Sequence, residues 1–133
     1  MVLVDTGVWI DLLRSRDTLA TARLRQLLAR GLAAVAPVIV QELLQGESSA
    51  SSLHTLREHF VALPMVLPRS AIATHAAAGE LYARCRWHGV TPRSPHDCLI
   101  AELVIENELP LLHDDRDFDL IAGVEPKLVS MRD

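Results

Sequence analysis

The chain has 133 residues, a length typical of one domain, and half of its residues are hydrophobic, which is enough for one buried core. Its 13 Lys and Arg against 17 Asp and Glu give a formal net charge of -4, which argues against a uniformly basic nucleic-acid-binding surface. No apolar run reaches the roughly 18 residues that span a bilayer, and the opening residues MVLVDTGVWI carry no export signal. We therefore expect one cytoplasmic domain with no membrane partner.

The first third of the chain predicts two strands and two helices. An apolar, β-branched run at Val2 to Val4 predicts a strand, and residues 5–7 read as a tight turn after it. Helical spacing follows from Val8 to Leu13. Apolar positions between Leu19 and Leu32 predict an amphipathic helix, and Ala33 to Ala36 a second buried strand.

The middle of the chain is mostly helical. Proline suits the first turn of a helix that runs from Pro37 to Leu44. A short polar patch at residues 47–52 precedes helical spacing from Leu53 to Phe60. Met65 to Leu67, between two prolines, is a candidate short strand, and Ile72 to Trp87 predicts a long Ala-rich helix.

The last third begins with a strong helix-start signal. Ser94-Pro95-His96-Asp97 combines a capping residue, a proline and a first-turn carboxylate, and the helix continues through Val104. Leu109 to Leu112 is a candidate strand, His113 to Asp119 an acidic turn, and Lys127 to Ser130 a last strand. Strands that alternate with helices predict an α/β fold with a short, mostly parallel β-sheet flanked by helices.

Four carboxylates stand after strands or on otherwise apolar helices. Asp5 and Asp115 follow predicted strands, and ligands bind at that edge of open parallel sheets. Glu42 lies in an apolar helix, where burial without a partner is costly, and Asp97 lies in a first helical turn. Each has an ordinary alternative, since such acids also cap helices or form solvated turns. A functional site depends on their convergence.

Converging acids would need a cation, because like charges in one site raise each other's pKa. Cys85 and Cys98 show no metal-ligand spacing and are expected to be reduced, buried thiols. Oxygen ligands therefore favour Mg²⁺ or Mn²⁺ over Zn²⁺. Such ions activate water and neutralise charge on a phosphodiester, so an acidic protein could act on a polyanion.

Four segments in chain order resemble the four motifs of the PIN-domain ribonucleases, in particular the VapC toxins of prokaryotic toxin-antitoxin modules: VLVDTGVWIDLL, APVIVQELLQG, SPHDCLIAEL and LPLLHDDRDFDLI. The resemblance spans nearly the whole chain. It implies a PIN-like three-layer fold, with residues 1–133 as a single PIN domain. It also implies a metal-dependent endoribonuclease in which water attacks phosphorus in line and leaves a 5'-phosphate. A homodimer and a VapB-like antitoxin whose C-terminal segment covers the acidic pocket are implied as well.

The same resemblance assigns the acids. Asp5, Glu42 and Asp97 match the positions at which the family binds Mg²⁺ or Mn²⁺. Asp115 matches the fourth acid, and Asp117 is the alternative if that acid is shifted by a turn. The four acids Asp5, Glu42, Asp97 and Asp115 are thus the implied catalytic and metal-binding residues.

Neighbouring positions supply the expected supporting groups. Thr6 matches a hydroxyl position beside the first acid, whereas Gly7 stands where Ser is common and His113 where Thr or Ser is usual, so a supporting hydroxyl is expected to be missing. His96 is expected to support the site or contact substrate rather than act as a base, because its neighbour Asp97 faces another direction on the helix. Five arginines beside the motifs are either phosphate contacts or solvated charges: Arg14, Arg16, Arg84, Arg86 and Arg93.

Three other functions match parts of the sequence. Asp5-Thr6-Gly7 is the tripeptide of aspartic proteases, but six glycines and long helical patterns do not suit that β-rich family. A phosphoaspartate-type phosphatase or receiver domain also has an Asp after its first strand, but Gly7 replaces the second Asp of the phosphatase motif and Lys127 is the only lysine. A PIN-fold module that binds RNA or a partner without cleavage is the non-enzymatic alternative, against which the four intact acids argue.

Overall fold

The computed structural model describes residues 1–131, in which three short strands and seven helices alternate. The strands are β1 (Val2–Val4), β2 (Ala33–Ala34) and β3 (Leu111–Leu112). The helices are α1 (Thr6–Leu13), α2 (Leu19–Ala29), α3 (Pro37–Leu44), α4 (Ala50–Val61), α5 (Ala71–Trp87), α6 (Pro95–Glu106) and α7 (Arg116–Val124). Among these described helices, none has the length and apolar character needed to cross a membrane.

The sheet is parallel throughout, with the strand order β2-β1-β3. Leu3 of the central strand pairs with Ala34 on one side and with Leu111 on the other. Because all three strands run in the same direction, their carboxyl ends lie at one edge of the sheet. The residues that follow each strand are therefore brought to that edge, and the expected α/β class is confirmed.

The helices pack in two groups around this sheet. Helices α2 and α3 contact α1, and α4 contacts α3, whereas α5, α6 and α7 contact one another. Trp9 of α1 meets Phe60 of α4 edge to face, with ring centroids 5.0 Å apart, and its Nε1 donates a hydrogen bond to the carbonyl of Val4. That bond ties the end of β1 to the core beside Asp5. Cys85 and Cys98 are buried, free thiols, as expected.

Two predicted turns are helix starts instead. The turn expected at residues 5–7 is wrong, because α1 begins at Thr6 directly after β1, with Asp5 as its N-cap. The acidic turn expected at residues 113–119 is also wrong beyond Asp115, where α7 begins. Asp115 caps that helix by accepting a hydrogen bond from the backbone N–H of Asp117, which favours a helix over a solvated turn.

The predicted strands are shorter in the structure. Met65 to Leu67 and Lys127 to Ser130 each form only an isolated bridge, Val35 with Met65 and Leu111 with Ser130. Flanking prolines limit the first of these, because proline cannot donate to a ladder. The second faces β3, which is only two residues long. Helix α4 begins earlier than expected, because Ser49 caps it by accepting from the N–H of Ser52.

Candidate active site

Asp5 lies at the carboxyl end of the central strand. Its backbone N–H donates to the carbonyl of Leu112, and its side chain points into a site where the residue is only 8% exposed. Burial raises the pKa of Asp5 to about 6, and the nearby charges of Glu42 and Asp115 add to this rise. The backbone N–H groups of Thr6 and Gly7 at the start of α1 lower the pKa in part. Asp5 is thus a carboxyl group held where its charge is poorly solvated.

Glu42 reaches the same place from α3, which follows β2. The Thr6 hydroxyl donates to Glu42 Oε1 at 3.1 Å, so the residue beside the first acid holds the second one. His96 Nδ1 lies 3.9 Å from Glu42 Oε2. The Thr6 hydroxyl and the His96 ring therefore both lie close to the Glu42 carboxylate.

Asp97 is placed by the start of α6. Ser94 caps this helix by accepting from the N–H of His96, and its backbone carbonyl accepts from the N–H of Asp97. Burial raises the pKa of Asp97 to about 7. Four negative charges contribute further to that rise, those of Asp5, Asp115, Asp117 and Glu42. The charges of the expected acids therefore act on Asp97, although Asp5 and Glu42 are not among the acids whose carboxylate oxygens cluster within 4.8 Å of one another.

Asp115 and Asp117 join the centre from the start of α7. One carboxylate oxygen from each of Asp97, Asp115 and Asp117 lies within 4.8 Å of the others, an arrangement that could hold a metal ion. The sequence left open whether Asp115 or Asp117 is the fourth acid, and the structure places both beside Asp97. Asp117 is 8% exposed, and hydrogen bonding from the Arg93 backbone N–H holds its pKa below the ordinary value.

Arg93 makes the most direct contact between a basic side chain and this centre. Its Nε lies 3.1 Å from Asp117 Oδ2 and its Nη2 lies 2.9 Å from Asp115 Oδ1. Sequence reasoning placed Arg93 among five arginines of equal standing. Two of the others pair elsewhere, Arg16 with Asp11 and Arg84 with Glu125. No local sequence signal separates Arg93 from the other four, because its partners Asp115 and Asp117 lie 22 and 24 residues away along the chain.

His113 supports Asp115 from the end of β3. Its Nδ1 accepts a hydrogen bond from the backbone N–H of Asp115, and its Nε2 lies 2.8 Å from Ser130 Oγ. Because Nδ1 accepts, the ring proton is on Nε2, which donates to the serine. The side chain is 5% exposed and packs against Phe118. The His113 imidazole thus makes a supporting contact at the position where related proteins usually have the hydroxyl of Thr or Ser.

The other departure, Gly7, leaves room beside the first acid. A Cβ built on Gly7 would lie 3.6 Å from Asp5 Oδ2, which is an ordinary van der Waals distance. A serine would therefore fit without displacing the carboxylate. Steric crowding at the Cβ position therefore does not explain why residue 7 is glycine.

An open cavity of about 370 Å³ adjoins the centre, and Asp5, Asp115, Arg93 and Arg116 are among its lining residues. The clustered atoms of Asp97, Asp115 and Asp117 are carboxylate oxygens, which suit a hard divalent cation. Burial, with a further contribution from neighbouring acids, raises the pKa of both Asp5 and Asp97, so a cation at this centre would favour their ionised forms. The residues present therefore fit a bound Mg²⁺ or Mn²⁺.

An acidic centre at the carboxyl edge of a small parallel sheet matches a known domain type. The sequence model described as the PIN domain matches residues 2–124, so the chain belongs to the PIN domain family. Two curated relatives are VapC ribonuclease Mb1587 of Mycobacterium bovis and Ribonuclease VapC11 of Mycobacterium tuberculosis. Each is 36% identical over 126 residues, which cover 93% of this chain and 93% of the relative.

Solved structures support the same fold. A chain of the VapBC2 crystal structure from Rickettsia felis, bound to a promoter DNA fragment, superimposes with a TM-score of 0.74 and 18% identity, covering 98% of each chain. A chain of FitAcB from Neisseria gonorrhoeae gives a TM-score of 0.67 and 16% identity, covering 99% of this chain and 97% of that one. The PIN-like α/β architecture expected from the sequence is confirmed.

Proposed function

We propose that this protein is a metal-dependent endoribonuclease that hydrolyses RNA phosphodiester bonds as the toxin of a toxin-antitoxin module. Its relatives at 36% identity carry the name VapC ribonuclease, which supports the activity on RNA. The observation that carries the proposal is the cluster of three carboxylate oxygens, one each from Asp97, Asp115 and Asp117, that lie within 4.8 Å of one another. Carboxylates gathered at one point are suited to a divalent cation.

Asp97, Asp115 and Asp117 are the proposed ligands of Mg²⁺ or Mn²⁺, with Asp5 and Glu42 beside them. When bound, the cation supplies a positive charge that keeps the acids ionised and offsets charge on the phosphate during attack by water. Three carboxylate oxygens within 4.8 Å of one another support this assignment.

The chain's own residues orient the acids. Thr6 holds Glu42 through a 3.1 Å hydrogen bond, and His113 holds the Asp115 backbone through Nδ1. These contacts limit rotation of the two carboxylate-bearing segments, and such supporting contacts affect activity in metal sites. We assign Thr6, His96 and His113 as supporting residues rather than proton-transfer groups.

The partners are proposed on the same basis. Two structural neighbours with the same fold are reported as VapBC2 and FitAcB, which supports a VapB-like antitoxin as partner of this chain. We further propose that residues 1–133 form a single PIN domain and that it works in the cytoplasm as a homodimer. RNA is the proposed substrate.

Cleavage of a labelled RNA pool in Mg²⁺ or Mn²⁺ tests the function. Asp5→Asn and Asp97→Asn are each expected to lower the rate by more than about 100-fold, because even supporting residues of metal sites cost 10- to 100-fold. Asp17→Asn is the matched control, since the side chain of this acid is 89% exposed and pairs with the exposed Arg25. Full cleavage by either site variant, or undiminished cleavage in EDTA, would contradict the mechanism. RNA binding without cleavage in either metal would favour the non-enzymatic PIN module.

A further inference from the structure

Arg93 binds two of the three proposed metal ligands. Its Nε and its own backbone N–H both donate to Asp117 Oδ2 at 3.1 Å, and Nη2 donates to Asp115 Oδ1 at 2.9 Å. Together with Asp97, these acids form the three-oxygen cluster. The Arg93 guanidinium and a divalent cation would therefore compete for binding to the same carboxylates.

The two contacts differ in how firmly they are held. Asp117 is nearly buried and receives two donors, one of them from the main chain, which no side-chain substitution removes. Asp115 is contacted by the end of a side chain that is 76% exposed. Exposed ion pairs contribute little, so the Asp115 contact is the one that exchanges readily with another partner.

The exposed guanidinium also faces the place where substrate must lie. Arg93 lines the open cavity that contains Asp5 and Asp115, and Arg116 lies in the same lining. A planar guanidinium matches a phosphate group through two parallel hydrogen bonds. Without such a group, a cavity dominated by acids would repel the phosphates on either side of the cleaved bond.

We propose that Arg93 is a phosphate-contacting residue that rests on Asp115 until a divalent cation takes over that carboxylate, and that it then binds a phosphate of the RNA. This inference rests on the proposed function, because it takes RNA as the substrate and the acids as the cation site. Arg93 then has opposite effects on the binding of the cation and on the binding of RNA. The guanidinium weakens cation binding and strengthens RNA binding.

Two binding measurements test this assignment without requiring cleavage. The first is Mn²⁺ binding to the RNA-free protein, followed by calorimetry. The second is RNA binding to the Mn²⁺-loaded protein, measured by fluorescence anisotropy at several salt concentrations. Every protein in this measurement also carries Glu42→Gln, so that the RNA is not cleaved during the experiment. Arg93→Gln is compared with Arg57→Gln, which removes an exposed arginine from α4.

Arg93→Gln is expected to bind Mn²⁺ about five-fold more tightly, the ratio that corresponds to loss of one competing exposed ion pair. It is also expected to bind RNA about ten-fold more weakly and to reduce the slope of log affinity against log salt by about one. Arg93→Lys keeps the charge but not the planar fork, so it should restore the salt slope and only part of the affinity. Arg57→Gln should change neither measurement.

Weaker Mn²⁺ binding by Arg93→Gln would overturn the proposal, because Arg93 would then only hold the ligands in place. Unchanged RNA binding would also overturn it, since the ion pairs would be surface contacts without a role toward RNA. Circular dichroism of each variant establishes that the fold is intact. If Arg93→Gln shows both binding effects but the wild-type protein cleaves no RNA, the result would count against the proposed function alone.

Discussion

Asp5 is a buried acid whose replacement by asparagine is expected to stabilise the metal-free protein above neutral pH while it abolishes RNA cleavage. Its pKa rises from the ordinary 3.8 to about 6, chiefly because the carboxylate is poorly solvated. Between these two values the folded protein binds more protons than the unfolded chain. Stability contributed at this site is therefore present at low pH and is lost as the pH rises through about 6.

The expected size follows from the two pKa values. The difference between 3.8 and about 6, at about 1.4 kcal/mol for each pH unit, amounts to about 3 kcal/mol at pH 8. For a chain of this length, 1 kcal/mol corresponds to roughly 3 to 4 °C, so Asp5→Asn should raise Tm by up to about 10 °C. Because the charge of Asp5 also contributes to the raised pKa of Asp97, the substitution removes one source of charge repulsion on Asp97 as well.

Thermal unfolding in EDTA at pH 5 and pH 8, at one protein concentration, measures this effect. At pH 5 the folded carboxyl group is mostly protonated, but the carboxyl group of the unfolded chain is already ionised, so about half of the full effect, about 1.5 kcal/mol, is expected there. At pH 8 the variant should be more stable by the full amount. Asp17→Asn, at an 89% exposed site, should change Tm at neither pH. A variant that is less stable at pH 8, or equally stabilised at both pH values, would refute the reasoning.

Three further results are expected. At one fixed Mn²⁺ concentration, 100 times the wild-type Kd at pH 8, Mn²⁺ should stabilise the wild type by about 2.7 kcal/mol at pH 8 and by less at pH 5, where it displaces protons; an equal effect in Asp97→Asn at the same concentration would contradict this assignment. Thr6→Val, which removes the hydrogen bond to Glu42, should slow cleavage about ten-fold or more in initial-rate assays, whereas Thr6→Ser should retain activity. His113→Leu leaves the Asp115 N–H without its acceptor and should cost about 1 to 3 kcal/mol in urea unfolding, whereas His113→Asn should cost less.

The parts of the fold that were predicted correctly depend on local chemistry. The start of α6 is predictable because the Ser94 side chain accepts from a backbone N–H of the first turn, and Pro95 has no N–H of its own to be satisfied. The meeting of Asp5 and Asp115 followed from parallel strands alone, since their carboxyl ends share an edge.

The parts that were missed depend on distant partners or on ambiguous signals. The start of α7 carries helix-start chemistry, with Asp115 as cap and Phe118 and Ile121 as buried positions three apart, but a run of acids resembles a solvated turn equally well. The pairing of Arg93 with Asp117 joins residues 24 apart in sequence. No periodicity or motif encodes such a pair, because its geometry arises only when α6 and α7 pack together.

The distribution of charge explains how an acidic protein can be suited to RNA. If Asp5, Glu42, Asp97 and Asp115 are set aside, 13 acids remain against the 13 Lys and Arg, so the rest of the chain is balanced. The negative charge is concentrated in one centre, where burial raises the pKa of Asp97 to about 7. A divalent cation bound there would offset about two charges. On the proposed function, the same local charge that would repel RNA from the metal-free protein would bind the ion that lets a phosphate approach.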